Sequence, residues 1–124
     1  KKNYDTISVS KVISDLELAG YIDDKEFCEM YASHLIKNKL LGPMAVRSQF
    51  LKHKISEDLL NETMNKLYDT LKMENIIQNN VNKRIRGKSL TEKEKSKTIQ
   101  FLKRKGFFWD DIEPVIQSIP WESA

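Results

Sequence analysis

Apolar residues recur at the i, i+3, i+4, i+7 spacing of an amphipathic helix in one stretch after another, and Gly, Pro or a capping residue ends every stretch early. A chain patterned this way folds into short helices and needs no strand. Val9, Val12, Ile13 and Leu16 predict a helix over 7–19, closed by Gly20 in the left-handed conformation. Asp23 or Asp24 caps the next, Asp23 with Glu26 as a capping box, and its buried stripe is Phe27, Met30, Tyr31, His34 and Leu35, ended at Gly42-Pro43. Pro43 suits the first turn of a third helix, because its fixed φ is helical and its missing N–H would be unpaired there; Val46, Phe50 and Leu51 form the apolar face. Ser56 N-caps a fourth helix with Leu60, Met64, Leu67, Tyr68 and Leu71 inward, running to about residue 69. A fifth carries Met73, Ile76, Ile77, Val81 and Ile85 into the loop Arg86-Gly87-Lys88-Ser89. Thr91 with Glu94 makes a capping box before a sixth helix holding Thr98, Ile99, Phe101 and Leu102, which Gly106 ends. Asp110 with Glu113 repeats the box ahead of Ile112, Val115, Ile116 and Ile119, with Pro114 in the first turn and Pro120 as the stop.

Composition agrees with a soluble helical protein: of 124 residues 40% are hydrophobic and 31% charged, with four Gly and three Pro. No apolar run is long enough to span a bilayer, and no signal-peptide core follows Lys1-Lys2-Asn3-Tyr4-Asp5, so the reading is cytoplasmic with no membrane partner. The single Cys28 cannot pair within the chain, and there is no CxxC, so neither a disulfide framework nor a cysteine zinc site is available. Cys28 reads as a small core or boundary residue.

Charge is unevenly spread. Residues 72–106 carry eleven bases against three acids, a balance of +8 inside a chain whose net charge is +3. A second basic stretch between Glu29 and Glu57 holds Lys37, Lys39, Arg47, Lys52 and Lys54 with no acid among them. Such blocks favour a polyanion or an acidic protein surface, although single stretches of this kind are also ordinary solvated helix faces.

The chain also repeats itself weakly. Phe50-Leu51-Lys52-His53-Lys54-Ile55, followed by Leu60, matches Leu102-Lys103-Arg104-Lys105-Gly106-Phe107, followed by Ile112, at a constant offset of 52 residues. Lys54 stands where Gly106 stands, so the earlier turn is expected to hold a non-glycine residue in a conformation glycine takes more easily. Each unit is a short three-helix bundle too small to be stable alone, sharing buried surface with its neighbours in a row.

Leu16-Glu17-Leu18-Ala19-Gly20-Tyr21-Ile22-Asp23-Asp24-Lys25-Glu26-Phe27, with Tyr31 beyond it, resembles the signature of the RecX family. Gly42, Val46, Phe50, Lys52 and Ile55 resemble the pattern of that family's second repeat, with Lys54 departing from it. Arg104-Lys105-Gly106-Phe107 and Ile112 resemble the ending of its third, with Lys105 in place of an Arg. Gly20, Tyr21, Asp23, Asp24, Phe27, Tyr31, Gly42, Gly106 and Phe107 are the matching structural positions. The resemblance implies an all-α, elongated and curved array of tandem three-helix-bundle repeats. The first repeat is partial, lacking its opening helix (1–40); the second covers 41–88 and the third 89–124. It further implies a monomeric, non-enzymatic regulator that binds the groove of the RecA nucleoprotein filament and restrains recombinase and coprotease activity. Charge clustering selects Arg47, Lys52, Lys83, Arg84, Arg86, Lys88, Lys103 and Arg104 as contributors to binding the filament, or single- or double-stranded DNA.

Catalytic readings find little support. His34 and His53 lie on different predicted segments without a Cys partner or His-x-x-x-His spacing, His34 reading as packed and His53 as solvated. Asp23-Asp24 and Asp110-Asp111 sit where N-caps are expected. Arg86-Gly87-Lys88-Ser89 lacks the upstream glycine and the strand of a phosphate-binding loop, so no cofactor, metal or catalytic residue is assigned. In Phe107-Phe108-Trp109, Phe107 matches the core position of Ile55, which leaves Phe108 or Trp109 exposed; Trp121 reads as a packing anchor. Two alternatives remain. One is a helix-turn-helix protein reading DNA with Asn75, Gln78, Asn79, Asn80, Asn82 and Arg84, and the other a helical scaffold for another protein.

Overall fold

The computed structural model describes residues 24–122, and the expected helix over 7–19, Gly20, Tyr21 and the Asp23–Glu26 capping box lie outside the described residues or depend on them. Six helices follow in order: α1 (Asp24–Lys39), α2 (Pro43–Gln49), α3 (Glu57–Leu71), α4 (Met73–Ile85), α5 (Glu92–Arg104) and α6 (Trp109–Gln117). The fold is all-α, with no strand among the described residues. α1 packs on α3 and α2, and α4 packs on both α5 and α6, which also touch each other. Between α3 and α4 the chain turns on Lys72 alone, at φ 70°. Residues 40/41 and 88/89 fall in the α1–α2 and α4–α5 turns, so the packing of α1 on α3, and of α4 on α5 and α6, reaches across both points.

One hydrophobic core runs through all six helices, from Phe27 and Tyr31 through Ile77 and Val81 to Ile112 and Ile116. On α1 the buried set is Phe27, Cys28, Tyr31, Ala32, Leu35 and Ile36, a stripe turned from the one the periodicity predicts. Met30 is therefore 49% exposed, while Cys28 belongs to the core, where burial raises its thiol pKa and leaves it a poor nucleophile. Leu51 is 79% exposed, because α2 ends at Gln49 and the residue sits in the following turn rather than on a helical face. His53 is not a solvated side chain: its ring lies 4.8 Å from Phe27 and 5.6 Å from Tyr31, beside Phe50, in an aromatic cluster beneath the α2–α3 turn.

Two expected caps are present: Leu59 N–H donates to Ser56 Oγ and Glu94 N–H to Thr91 Oγ1, each at 3.1 Å. The Thr91 box is only half formed, since the Glu94 carboxylate turns to Arg84 instead of back to the cap. Thr91→Ala is expected to cost about 1 kcal/mol, the usual worth of an N-cap, read as a lower urea midpoint at unchanged slope. No box forms at Asp110 and Glu113. The N-cap of α6 is Phe108, which places Asp110 and Asp111 in the first turn, where the dipole favours them, and Pro114 inside the helix beyond that turn. α6 survives the lost N–H because Ile112, Val115 and Ile116 remain buried on one side.

The ends of α1 and α5 meet, backbone on backbone. Gly42 N–H donates to Lys105 O at 2.8 Å and Met44 N–H to Gly106 O at 3.1 Å. A Cβ on Gly42 would lie 2.5 Å from the Gly106 carbonyl carbon, and one on Gly106 would lie 2.5 Å from Ala45 N. Gly106 has φ +101°, but Lys54 does not share that conformation; among the described residues the non-glycine ones at positive φ are Leu40 (55°) and Lys72 (70°). The earlier turn closes instead with His53 N–H on Phe50 O and Ile55 N–H on His53 O. α1 ends in a Schellman-type turn, Leu41 N–H reaching Leu35 O and Leu40 N–H reaching Ile36 O, with Leu40 in the left-handed position.

Candidate functional site

The α1–α2 turn needs partners for carbonyls that no longer belong to a helix, and three other helices supply them. Tyr68 of α3 donates its hydroxyl to Leu41 O at 2.6 Å, Asn80 of α4 its amide to Leu40 O at 2.9 Å, and Lys105, just beyond α5, its ammonium to Lys39 O at 2.7 Å. This explains why Asn80 is buried in an otherwise apolar face. It also brings cations together. Lys39, Lys83, Arg84 and Lys105, with Asn38, Leu40, Asn80 and Phe101, line an open cleft of about 400 Å³ between the end of α1, α4 and α5.

Burial lowers the Lys105 pKa, and repulsion from Lys83 and then Lys39 adds to the effect, so the ammonium is held against two like charges. Arg84 is paired with Glu94 at 3.1 Å, and its guanidinium carbon sits 5.4 Å from the centroid of the Phe101 ring, which also has Lys105 Nζ over it at 5.8 Å. Arg84 Nε is buried and has no hydrogen-bond partner among the described residues.

A second, shallower cleft of about 300 Å³ adjoins the same turn and is lined by Met44, Ala45, Ser48, Gln49, Lys103, Arg104 and Gly106. Lys103 Nζ lies 5.6 Å from the Trp109 ring centroid, and Phe108 and Trp109 are half exposed beside a buried Phe107. Trp121 is anchored by its indole N–H on Ile116 O at 2.9 Å.

The charged residues singled out by clustering thus divide. Lys83 and Arg84 line the first cleft, Lys103 and Arg104 the second. Lys52, Arg86 and Lys88 are exposed in the α2–α3 and α4–α5 turns, Lys88 within 3.9 Å of Glu94. Arg47 stands apart, joining α2 to α3 through the Glu57 carboxylate and, at 2.7 Å, Asn61 Oδ1. Lys39 and Lys105, which belong to the basic stretches but which charge clustering does not single out, also line the first cleft. Lys39 closes the last turn of α1, and the two meet only through folding, 66 residues apart. Among the signature positions, Phe27, Tyr31 and Phe107 are buried, Gly42 and Gly106 form the backbone junction, and Asp24 opens α1.

The polar face proposed for base reading is partly used up inside the fold. Asn80 is buried on backbone carbonyls, Arg84 is paired, and Gln78 donates to Asn82 at 2.9 Å. Among the described residues no group of three or more His, Cys, Asp or Glu side chains is placed to hold a metal ion, and no helix is long and apolar enough to cross a membrane.

No family model matches the chain, and no solved structure matches it. Curated relatives do. The regulatory protein RecX of Lactococcus lactis subsp. cremoris is 31% identical over 122 residues, covering 96% of this chain and 45% of that protein. RecX of Chlorobaculum tepidum is 22% identical over 125 residues, covering 100% of this chain and 76% of its own length, and RecX of Clostridium tetani 26% identical over 122 residues, covering 95% and 55%. This chain therefore spans between 45% and 76% of the length of these relatives. With matches of one name running through nearly the whole chain, and with the signature residues Phe27, Tyr31 and Phe107 in the core and Gly42 and Gly106 at the junction, this chain is similar along nearly its whole length to the RecX regulatory proteins.

Proposed function

We propose that this protein binds the groove of the RecA nucleoprotein filament and inhibits recombinase and coprotease activity during DNA repair and recombination. It acts as a cytoplasmic monomer, an elongated and curved array of helical repeats, by occupying the filament and not by chemistry of its own. The observation that carries this reading is the gathering of exposed cations around one seam. Lys83, at the end of α4, lines one open cleft, Lys103 and Arg104, at the end of α5, line the second, and Arg86 and Lys88 are exposed in the turn between the two helices. A surface of this kind steers onto an acidic groove, or onto nucleic acid within it, and sets the association rate. The relatives carry the name of a regulatory protein, in keeping with a binding role.

DNA strand exchange by RecA tests it. The protein is expected to inhibit exchange, and the triple variant Lys83→Glu, Lys103→Glu, Arg104→Glu to need at least about tenfold more protein for the same inhibition, since each reversal replaces attraction by repulsion at a rim position. Its helical circular dichroism should match the wild type, because Lys83, Lys103 and Arg104 are all exposed. Equal inhibition by the triple variant would remove the basic seam from the account.

A further inference from the structure

The cleft between α1, α4 and α5 has a more specific chemistry than a basic surface. Four cations line it and no carboxylate does; of the four, Arg84 is paired with Glu94 at 3.1 Å. Lys39, Lys83 and Lys105 therefore face one another without a counter-charge, and Lys105 is partly desolvated as well. An ammonium has three donors, and Lys105 commits one of them to Lys39 O. Folding brings these like charges together because the end of α1 must be capped, and an anion in the cleft would relieve the repulsion that capping creates.

We propose that this cleft binds the backbone phosphate of a nucleic-acid strand, with Lys39, Lys83 and Lys105 as its cationic wall and without regard to base sequence. A volume of about 400 Å³, open to one side, admits a phosphate with its flanking sugars. Phosphate is favoured over the carboxylate of a protein partner because several uncompensated cations meet in one place. Arg86 and Lys88, exposed in the turn that follows α4, add further positive charge within a few residues of Lys83 and Arg84, which suits a ligand carrying a charge at every unit of its length. Indifference to base follows from Phe101. Its ring already has Arg84 and Lys105 over it, at 5.4 and 5.8 Å from the centroid, so its π surface is engaged by the protein's own cations and is not offered to a base.

Strand binding at the cleft requires no RecA and is measured without it. Fluorescence anisotropy of the intact protein is measured with a labelled oligo(dT) strand, a labelled mixed-sequence strand and labelled poly-glutamate, across a salt series. Both strands should bind equally and more tightly than poly-glutamate. Lys39→Gln and Lys83→Gln should each weaken strand binding several-fold and flatten the log affinity against log salt by about 0.7, the value for one single-strand phosphate contact. Neither replacement removes a cap, since Lys105 bonds the backbone oxygen of Lys39 and Lys83 is exposed. Lys97→Gln, the same charge change at an exposed position of α5 outside the cleft, should leave affinity within twofold. The proposal is overturned by equal effects of Lys83→Gln and Lys97→Gln, by absence of strand binding at low salt, or by tighter binding of poly-glutamate, which would assign the cleft to an acidic protein.

Discussion

Gly106→Ala is expected to destabilise the protein by about 2–4 kcal/mol, among the largest effects available from adding one methyl group. Two costs combine. At φ +101° an L side chain is strained whatever the space around it, and the new Cβ would stand 2.5 Å from Ala45 N, a backbone atom that cannot rotate away. Relief requires α2 to separate from the α5–α6 turn, which breaks the bonds from Gly42 N–H to Lys105 O and from Met44 N–H to Gly106 O. Gly87→Ala is the matched comparison: φ is also positive, +75°, but nothing lies within 4 Å, so the loss should be about 1 kcal/mol from conformation alone. Urea unfolding of the two variants separates close approach from backbone strain, and similar midpoints would show that the glycine junction contributes little.

The second large effect is in the aromatic cluster. Phe27 is buried against Tyr31 at 5.7 Å, Phe50 at 5.6 Å and His53 at 4.8 Å between ring centroids, holding α1 against the α2–α3 turn. Phe27→Ala removes the ring from that contact and leaves a cavity between elements tied down elsewhere, so a loss of about 3–5 kcal/mol is expected. Phe27→Leu keeps most of the volume and should lose distinctly less. Thermal or urea unfolding checks both; an Ala variant within about 1 kcal/mol of the wild type would mean that the cluster does not anchor α1.

What could be read in the sequence was what local chemistry decides. Ser56 and Thr91 cap the helices they precede because a hydroxyl reaches an N–H three residues on, whatever the tertiary fold. The match of Phe107 to Ile55 places Phe107 in the core and Phe108 or Trp109 at the surface, and in the structure Phe107 is buried while Phe108 and Trp109 are half exposed. The misjudged positions depend on neighbours distant in sequence. Met30 and Leu51 are exposed because α3 and the end of α2 determine which faces are covered, and His53 is packed because Phe27 and Tyr31 arrive from another helix. The sequence marks the end of α1 by Gly42-Pro43, and the residue that takes the left-handed turn there is Leu40, whose carbonyl Asn80 satisfies, while Gly42 allows the close approach to Gly106.

The same division applies to the site. Lys83, Arg84, Lys103 and Arg104 were visible as charge, but whether a cation is free depends on what the next helix presents. Arg47 meets Glu57 and Arg84 meets Glu94, each across a turn, so both guanidinium groups are tied into the fold more than the lysines beside them. Lys39 and Lys105 became site residues only when capping of α1 brought them together.

Cosedimentation with preassembled RecA filaments on single-stranded DNA, against bare single-stranded and duplex DNA and across a salt series, tests the central claim most directly. The account predicts that the protein pellets with the filament at salt concentrations where neither bare DNA carries it down. Pelleting no greater with filament than with bare DNA, or none with any of them, would contradict it.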